Sequence, residues 1–306
     1  MDLLNTSNRN KVSYDIYSNT LTIDEVPINL NEITSVWLRK IGQPNDVDFF
    51  LKANKLKINP ELVKHLLGEY NVFLTSILSN ISSKAYWITD FKVRYMHKWD
   101  ILRKAILVGL KVPATQIVNN KFDLSKYVND KEFITKPLRD PVFFAYKHTT
   151  YSMYTKLIDN SVLTSYPEWF FPSVVQEKIE KEFEIRCFFL EDQFFSMAII
   201  SQNDSKTVMD YREYNLIKFN RNIPIKLPLE IESKLKLLSK KLGINCGSFD
   251  LIKDKNGEYI FLEINPNGQY GMVDMPCNYN LNKLIAETLI KESNVRRRKK
   301  SILSEH

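Results

Sequence analysis

Asp250, Glu263 and Asn265 are spaced for joint chemistry. They lie in GSFDLIKDKNGEYIFLEI and the NPNGQYG that follows, residues 247–271. Asn256-Gly257 is the preferred pair for a two-residue hairpin turn, because both positions require positive φ. With that turn Lys255 faces Glu258, and counting outward puts Asp250 directly opposite Glu263. Alternation sends Phe249, Leu251, Ile260, Leu262 and Ile264 to the other side, the core face. Two carboxylates facing each other across a ladder repel. A bound cation relieves that repulsion, and Mg2+ takes oxygen ligands from one or two carboxylates together with substrate phosphates. Asn265, two residues on and on the same face, adds a carbonyl oxygen. The bland alternative is a solvated sheet face whose acids happen to align, and a four-residue loop would misalign the pair.

Further candidates surround this hairpin. Asp210 and Arg212 alternate across Tyr211, so both face one way on an extended chain. By themselves they read as an intrachain ion pair. Gly268 and Gly271 flank Gln269 and Tyr270, and glycine permits close approach of backbone to a ligand.

The elements that must position these residues alternate between strand and helix. ITSVWLR (33–39) and AYWITD (85–90) read as strands. Leu62, Leu66, Phe73, Leu74, Ile77, Leu78 and Ile81 recur at helical spacing after Pro60. Trp99, Leu102, Ile106 and Leu110 mark a second helix that ends near Gly109. FITKPL (133–138) is a strand stopped by Pro137, and a loop-rich, Tyr-rich stretch runs on to Trp169. SVVQEKI (173–179) is a strand, and IRCFFLEDQFFSMAIIS (185–201) has the pattern of a hairpin. Ile231, Leu235, Leu238 and Leu242 form a helical stripe closed by Gly243. Leu281, Leu284, Ile285 and Leu289 line a last helix.

At 306 residues the chain exceeds one ordinary domain, and 44% hydrophobic content is enough for a buried core. No apolar run reaches bilayer length, and the N-terminus lacks the apolar core of a signal peptide. Cys187, Cys246 and Cys277 are scattered, so neither a disulfide framework nor a zinc ligand set is suggested. These features point to a soluble cytoplasmic protein with no membrane partner. Part of the net charge of +7 sits in RRRKK, residues 296–300, which reads as a frayed, solvated tail. Nucleic acid is disfavoured as a partner; the remaining basic excess suits nucleotide phosphate or an acidic peptide.

Several spaced motifs resemble those of ATP-grasp ligases. KPL (136–138), QEKIEKEFEIR (176–186), Asp250 and LEIN (262–265) occur in the order of that superfamily. SVWLRK (35–40), HKWDILRKAILVGLKVP (97–113), SMAIISQND (196–204), MDYREYN (209–215) and NPNGQYGMVDMPCN (265–278) resemble the graspetide synthetases related to microviridin ligases, in particular the grasp-with-spasm type. The resemblance spans about residues 33–291. It implies an α/β ATP-grasp fold with ATP between the last two domains. The expected organisation is an N-terminal α/β domain (1–110) that looks shortened against the family, a central subdomain (111–184), a C-terminal subdomain (185–292) and a basic tail (293–306). The stretch 139–155 lacks the glycines many relatives carry in a phosphate loop, and its aromatics suit packing or a lid.

The resemblance also assigns roles. Lys136 and Lys98 become nucleotide-binding lysines, against the plain reading of exposed lysines. Gln176, Glu177 and Ile179 fall in the hinge that holds adenine, which needs one donor and one acceptor that strand backbone at Glu177 and Ile179 supplies. Glu184 is implied at the ribose, and Arg186 as a clamp on the transferred phosphate. Arg212 would hold an acceptor carboxylate and Asp210 would act as base. Asp250, Glu263 and Asn265 become the Mg2+ ligands. The implied partner is a ribosomally made precursor peptide with a leader and an acidic core, the leader meeting the 185–200 hairpin; a homodimer is left open. Addition of free amino acids to a peptide C-terminus is the alternative reaction, and a non-catalytic peptide-binding scaffold is the alternative class. The DYR and GQYGM motifs favour crosslinking.

Overall fold

The computed structural model describes residues 11–39, 58–82, 85–127, 132–138, 143–146, 149–152, 155–200, 221–266 and 268–304. The chain begins with β1 (Val12–Asp15), β2 (Thr20–Ile23), β3 (Val26–Asn29) and β4 (Ser35–Trp37), then α1 (Pro60–Ser82), β5 (Tyr86–Ile88) and α2 (Lys98–Leu107). There follow β6 (Thr115–Asn120), α3 (Lys121–Ser125), β7 (Phe133–Lys136), β8 (Phe143–Tyr146), β9 (Thr149–Ser152), β10 (Lys156–Ile158) and α4 (Asn160–Ser165). The last part comprises β11 (Trp169–Glu177), β12 (Lys181–Leu190), β13 (Gln193–Ile200), β14 (Arg221–Ile225), α5 (Leu229–Leu242), β15 (Cys246–Asp254), β16 (Tyr259–Asn265), α6 (Gly271–Cys277) and α7 (Leu281–Ser304). Two compact units form: residues 1–94 with 280–306, and residues 95–279.

In the first unit, β1, β2 and β3 make an antiparallel meander that the sequence pattern does not predict. Its β2–β3 turn is Asp24-Glu25, both at positive φ, a hairpin turn made without glycine. β4 and β5 pair in parallel. Leu74, Ile77, Leu78 and Ile81 of α1 pack with Leu21, Leu30 and Trp87 in one core. The amphipathic stripe of α1 is engaged only in its later turns, since Leu62 near its start is 49% exposed. The RRRKK run is not a frayed tail. It continues α7 as far as Ser304, and Arg296 pairs with Glu292 at 2.8 Å while lying over the Tyr86 ring.

The larger antiparallel sheets of the second unit, among the described residues, have strand orders β10-β7-β11-β6 and β14-β13-β12-β15-β16. The stretch expected to be loop-rich instead contains the β8–β9 hairpin, β10 and α4. On one face of the five-stranded sheet, Phe189 stacks on Phe249 at 4.6 Å, and Phe261 meets Phe249 edge-on. All three are fully buried, and each contributes roughly 1.5–3 kcal/mol by leaving water. Polar residues are thereby left to the opposite face. Gly243 closes α5 in the left-handed conformation, as expected of a C-cap. Among the described residues, no helix is long and apolar enough to cross a membrane.

Candidate functional site

Asp250 does lie opposite Glu263, but not by the expected route. Asn256-Gly257 does not form a two-residue turn. The Asp254 carboxylate accepts from the backbone N–H of Asn256 and of Glu258, and Gly257 alone sits at positive φ. The loop is therefore one residue longer, which shifts the pairing by one, so that Lys253 faces Tyr259 and Leu251 faces Phe261. A bulge at Leu262 then restores the register, and Asp250 meets Glu263. The bulge also changes the core face: Phe261 is buried there, Leu262 is only half-buried, and Ile260 pairs with Ile252 on the side of Asp250.

A row of charges crosses this polar face. Arg186 on β12 pairs with Asp250 on β15, which pairs with Glu263 on β16. Arg186 Nη1 donates to both Asp250 oxygens, at 2.7 and 2.6 Å. Lys98, the first residue of α2, brings its Nζ to 3.4 Å from Glu263 Oε2. The expected repulsion between the two acids is thus offset from both ends by side-chain cations. Burial pushes the Asp250 carboxyl up, to about 7, against the pull of Arg186, with Glu263 and Glu184 adding to the rise. Asn265 pairs with Ser248 one row further along the same face.

Glu184 sits two residues before Arg186 and pairs with the buried Lys181. A bulge at Glu182 turns Lys181 onto the same face, opposite Asp254. Lys181 was not anticipated: in a run of alternating charges, only the bulge distinguishes it from a surface lysine.

On the four-stranded sheet, Lys136 Nζ donates to Gln176 Oε1 at 2.9 Å. Gln176 is buried, so its side chain, and not only its backbone, belongs to the site. The Glu177 N–H donates to Ala114 O and the Lys178 N–H to Glu132 O. Ile179 lies in the short link between β11 and β12. Gly268 has φ of 46°, and a Cβ there would come within 3.1 Å of the Phe188 ring, so its close approach is to the sheet. Gly271 opens α6. Asp210 and Arg212 lie outside the described residues.

Arg186, Asp250, Glu263 and Lys98 are therefore brought together, Glu184 and Asn265 flank them on the same face, and Lys136 and Gln176 form a second group. Among the described residues, no three His, Cys, Asp or Glu side chains converge on one point. The donor set is two carboxylates with an amide, which suits a cation that takes its other ligands from phosphate and water.

No protein-family model matches the sequence, and a search of curated proteins finds no match. The fold is similar to that of the Chryseobacterium gregarium RiPP-associated ATP-grasp ligase solved with ADP and a leader and core peptide. The TM-score is 0.77 at 23% identity, over 92% of this chain and 85% of that one. It is also similar to the macrocyclase MdnC bound with precursor peptide MdnA from Microcystis aeruginosa MRC, with TM-score 0.73 and 23% identity over 92% and 87% of the two chains. A third similar structure is the ATP-grasp ligase PsnB complexed with minimal precursor, Mg and ADP, with TM-score 0.70 and 16% identity over 93% and 85%. The architecture that presents this row of charges is the ATP-grasp ligase fold.

Proposed function

We propose that this protein is an ATP- and Mg2+-dependent ligase of the cytoplasm that crosslinks the side chains of a ribosomally made precursor peptide. The row Lys98–Glu263–Asp250–Arg186, on one sheet face of an ATP-grasp fold, is the observation that carries the reading. The similar proteins solved with ADP and with leader, core or precursor peptides support it.

In this reading ATP lies between the two larger sheets of the second unit. Adenine meets the carbonyl of Glu177, whose N–H is already engaged, and the N–H of Ile179. Glu184, fixed by Lys181, faces the ribose, and Lys136 and Lys98 neutralise phosphate charge. Asp250, Glu263 and Asn265 hold Mg2+, which when bound offsets the charge of the transferring phosphoryl group. Until then Lys98 and Arg186 offset the charge of the two facing carboxylates from either end. Arg186 then turns part of its fork to the transferred phosphate.

An Asp or Glu carboxylate of the peptide attacks the γ-phosphorus, and ADP leaves. A Thr or Ser hydroxyl, or a Lys amine, of the same peptide attacks the acyl carbon, giving up its proton as phosphate leaves. Asp210 is assigned as the base and Arg212 as the holder of the carboxylate, with the leader docked along the β12–β13 hairpin. The test is intact-mass spectrometry of a candidate precursor, a short peptide rich in Thr, Asp and Glu, incubated with protein, ATP and Mg2+. A loss of about 18 Da per bond, one water, is expected. A gain in mass would mean amino-acid addition, and an unchanged mass would mean no ligation.

A further inference from the structure

Thr115 stands at the end of a polar relay that runs into Lys136. It opens β6 and lies directly opposite Gln176 on β11. Its Oγ1 is 2.8 Å from Pro113 O, and the single hydroxyl proton goes there. Toward Gln176 the hydroxyl can then only accept, and it does so from Nε2 at 2.8 Å. This fixes which end of the amide points each way. Oε1 is left facing β7, where it accepts from Lys136 Nζ at 2.9 Å. Gln176 is only 2% exposed, so water cannot make good a flipped amide. A flip would aim two N–H donors at an ammonium, which has no acceptor.

We propose that Thr115 is a positioning residue. Acting through the Gln176 amide, it sets the polarity that holds Lys136 where the ATP phosphates arrive. The proposal rests on the reading of Lys136 as a phosphate-binding lysine. The relay draws on three strands, β7, β11 and β6, that are neighbours in one sheet, although the residues lie far apart in sequence.

Thr115→Val keeps the shape and removes the hydroxyl, whereas Thr115→Ser keeps it. The first readout needs no nucleotide: the rate at which an amine-acylating reagent labels Lys136, followed by peptide mapping. Thr115→Val is expected to raise that rate several-fold and Thr115→Ser to leave it unchanged. In a Gln176→Glu background, Thr115→Val should have no effect, because a carboxylate has no donor end to misdirect. The second readout is Mg-ATP affinity by calorimetry, expected to weaken about tenfold in Thr115→Val, the order of losing one hydrogen bond to a charged group. Labelling of Lys136 at the wild-type rate in Thr115→Val, or a rise that persists in the Gln176→Glu background, overturns the relay. If labelling responds as expected but the wild-type protein binds no ATP, the relay stands and the ligase reading falls. If ATP binds tightly but labelling does not respond, the relay falls and the ligase reading stands.

Discussion

Replacing Arg186 with Met should destabilise the ligand-free protein in a way that depends on pH and on Asp250. Arg186 is 4% exposed, and its Nη1 holds both oxygens of an Asp250 carboxyl whose side chain is 16% exposed. Breaking a buried pair from one side costs about 3–5 kcal/mol, because the remaining charge is stranded. Here the stranded group can escape by taking a proton, and Asp250 is already raised to about 7 with Arg186 in place. Without Arg186 the rise must be larger, since burial and Glu263 then act unopposed.

The sign follows from proton counting. A carboxyl with a raised folded pKa binds more protons folded than unfolded, so stability is full below the unfolded pKa and falls as pH rises to the folded one. In the wild-type protein that loss is complete near pH 7. In Arg186→Met it continues, and the one further unit between pH 7 and pH 8 adds up to about 1.4 kcal/mol to the cost of the substitution. The assay is denaturant unfolding of wild type, Arg186→Met, Asp250→Asn and the double variant at both pH values. The cost of Arg186→Met should be larger at pH 8 than at pH 6, and should shrink to about 1 kcal/mol in the Asp250→Asn background. Equal costs at both pH values and in both backgrounds would mean that Arg186 acts through the packing of its stem, and the charge argument would fail.

Other consequences are simpler to read. Glu263→Gln keeps the shape and removes one carboxylate, so peptide-dependent ADP release should collapse while the unfolding midpoint stays close to wild type; wild-type release at ordinary Mg2+ removes Glu263 from the site. Arg186→Lys should bind ATP but lower the maximal rate by about two orders of magnitude, as for loss of a transition-state donor; weaker ATP binding at an unchanged rate contradicts the assigned role. Gly247→Ala would place a Cβ 3.0 Å from both Asn265 O and Phe189 Cε1, so a loss of about 1–3 kcal/mol in denaturant unfolding is expected, and an unaltered midpoint would show that this corner can yield.

The long helices, the two hairpins and the facing of Asp250 and Glu263 were legible in the sequence, because apolar spacing and turn residues are local signals. The hairpin shows how far such reasoning reaches. Asn256-Gly257 suggested the wrong turn because Asp254 offers its own carboxylate to the loop N–H groups, and Leu262 gave no sign of the bulge that restores the register. The two departures cancel at Asp250 and leave their mark at Phe261, which takes the core place expected of Leu262. The β1–β3 meander was missed because its strands are four residues long and one of its turns uses Asp24-Glu25, with no glycine to mark it. The relay from Thr115 to Lys136 was invisible for a different reason: it depends on three strands lying side by side, which no local pattern encodes.

The central claim is that a peptide carboxylate is activated by phosphoryl transfer from ATP. Labelling the Asp and Glu side-chain carboxylates of the precursor with 18O and analysing the released phosphate tests it most directly. The account predicts ADP as the nucleotide product and one labelled oxygen in phosphate for each crosslink formed, because the carboxyl oxygen that took the phosphoryl group leaves with it. Unlabelled phosphate accompanying crosslinked peptide, or release of AMP and pyrophosphate, would contradict it.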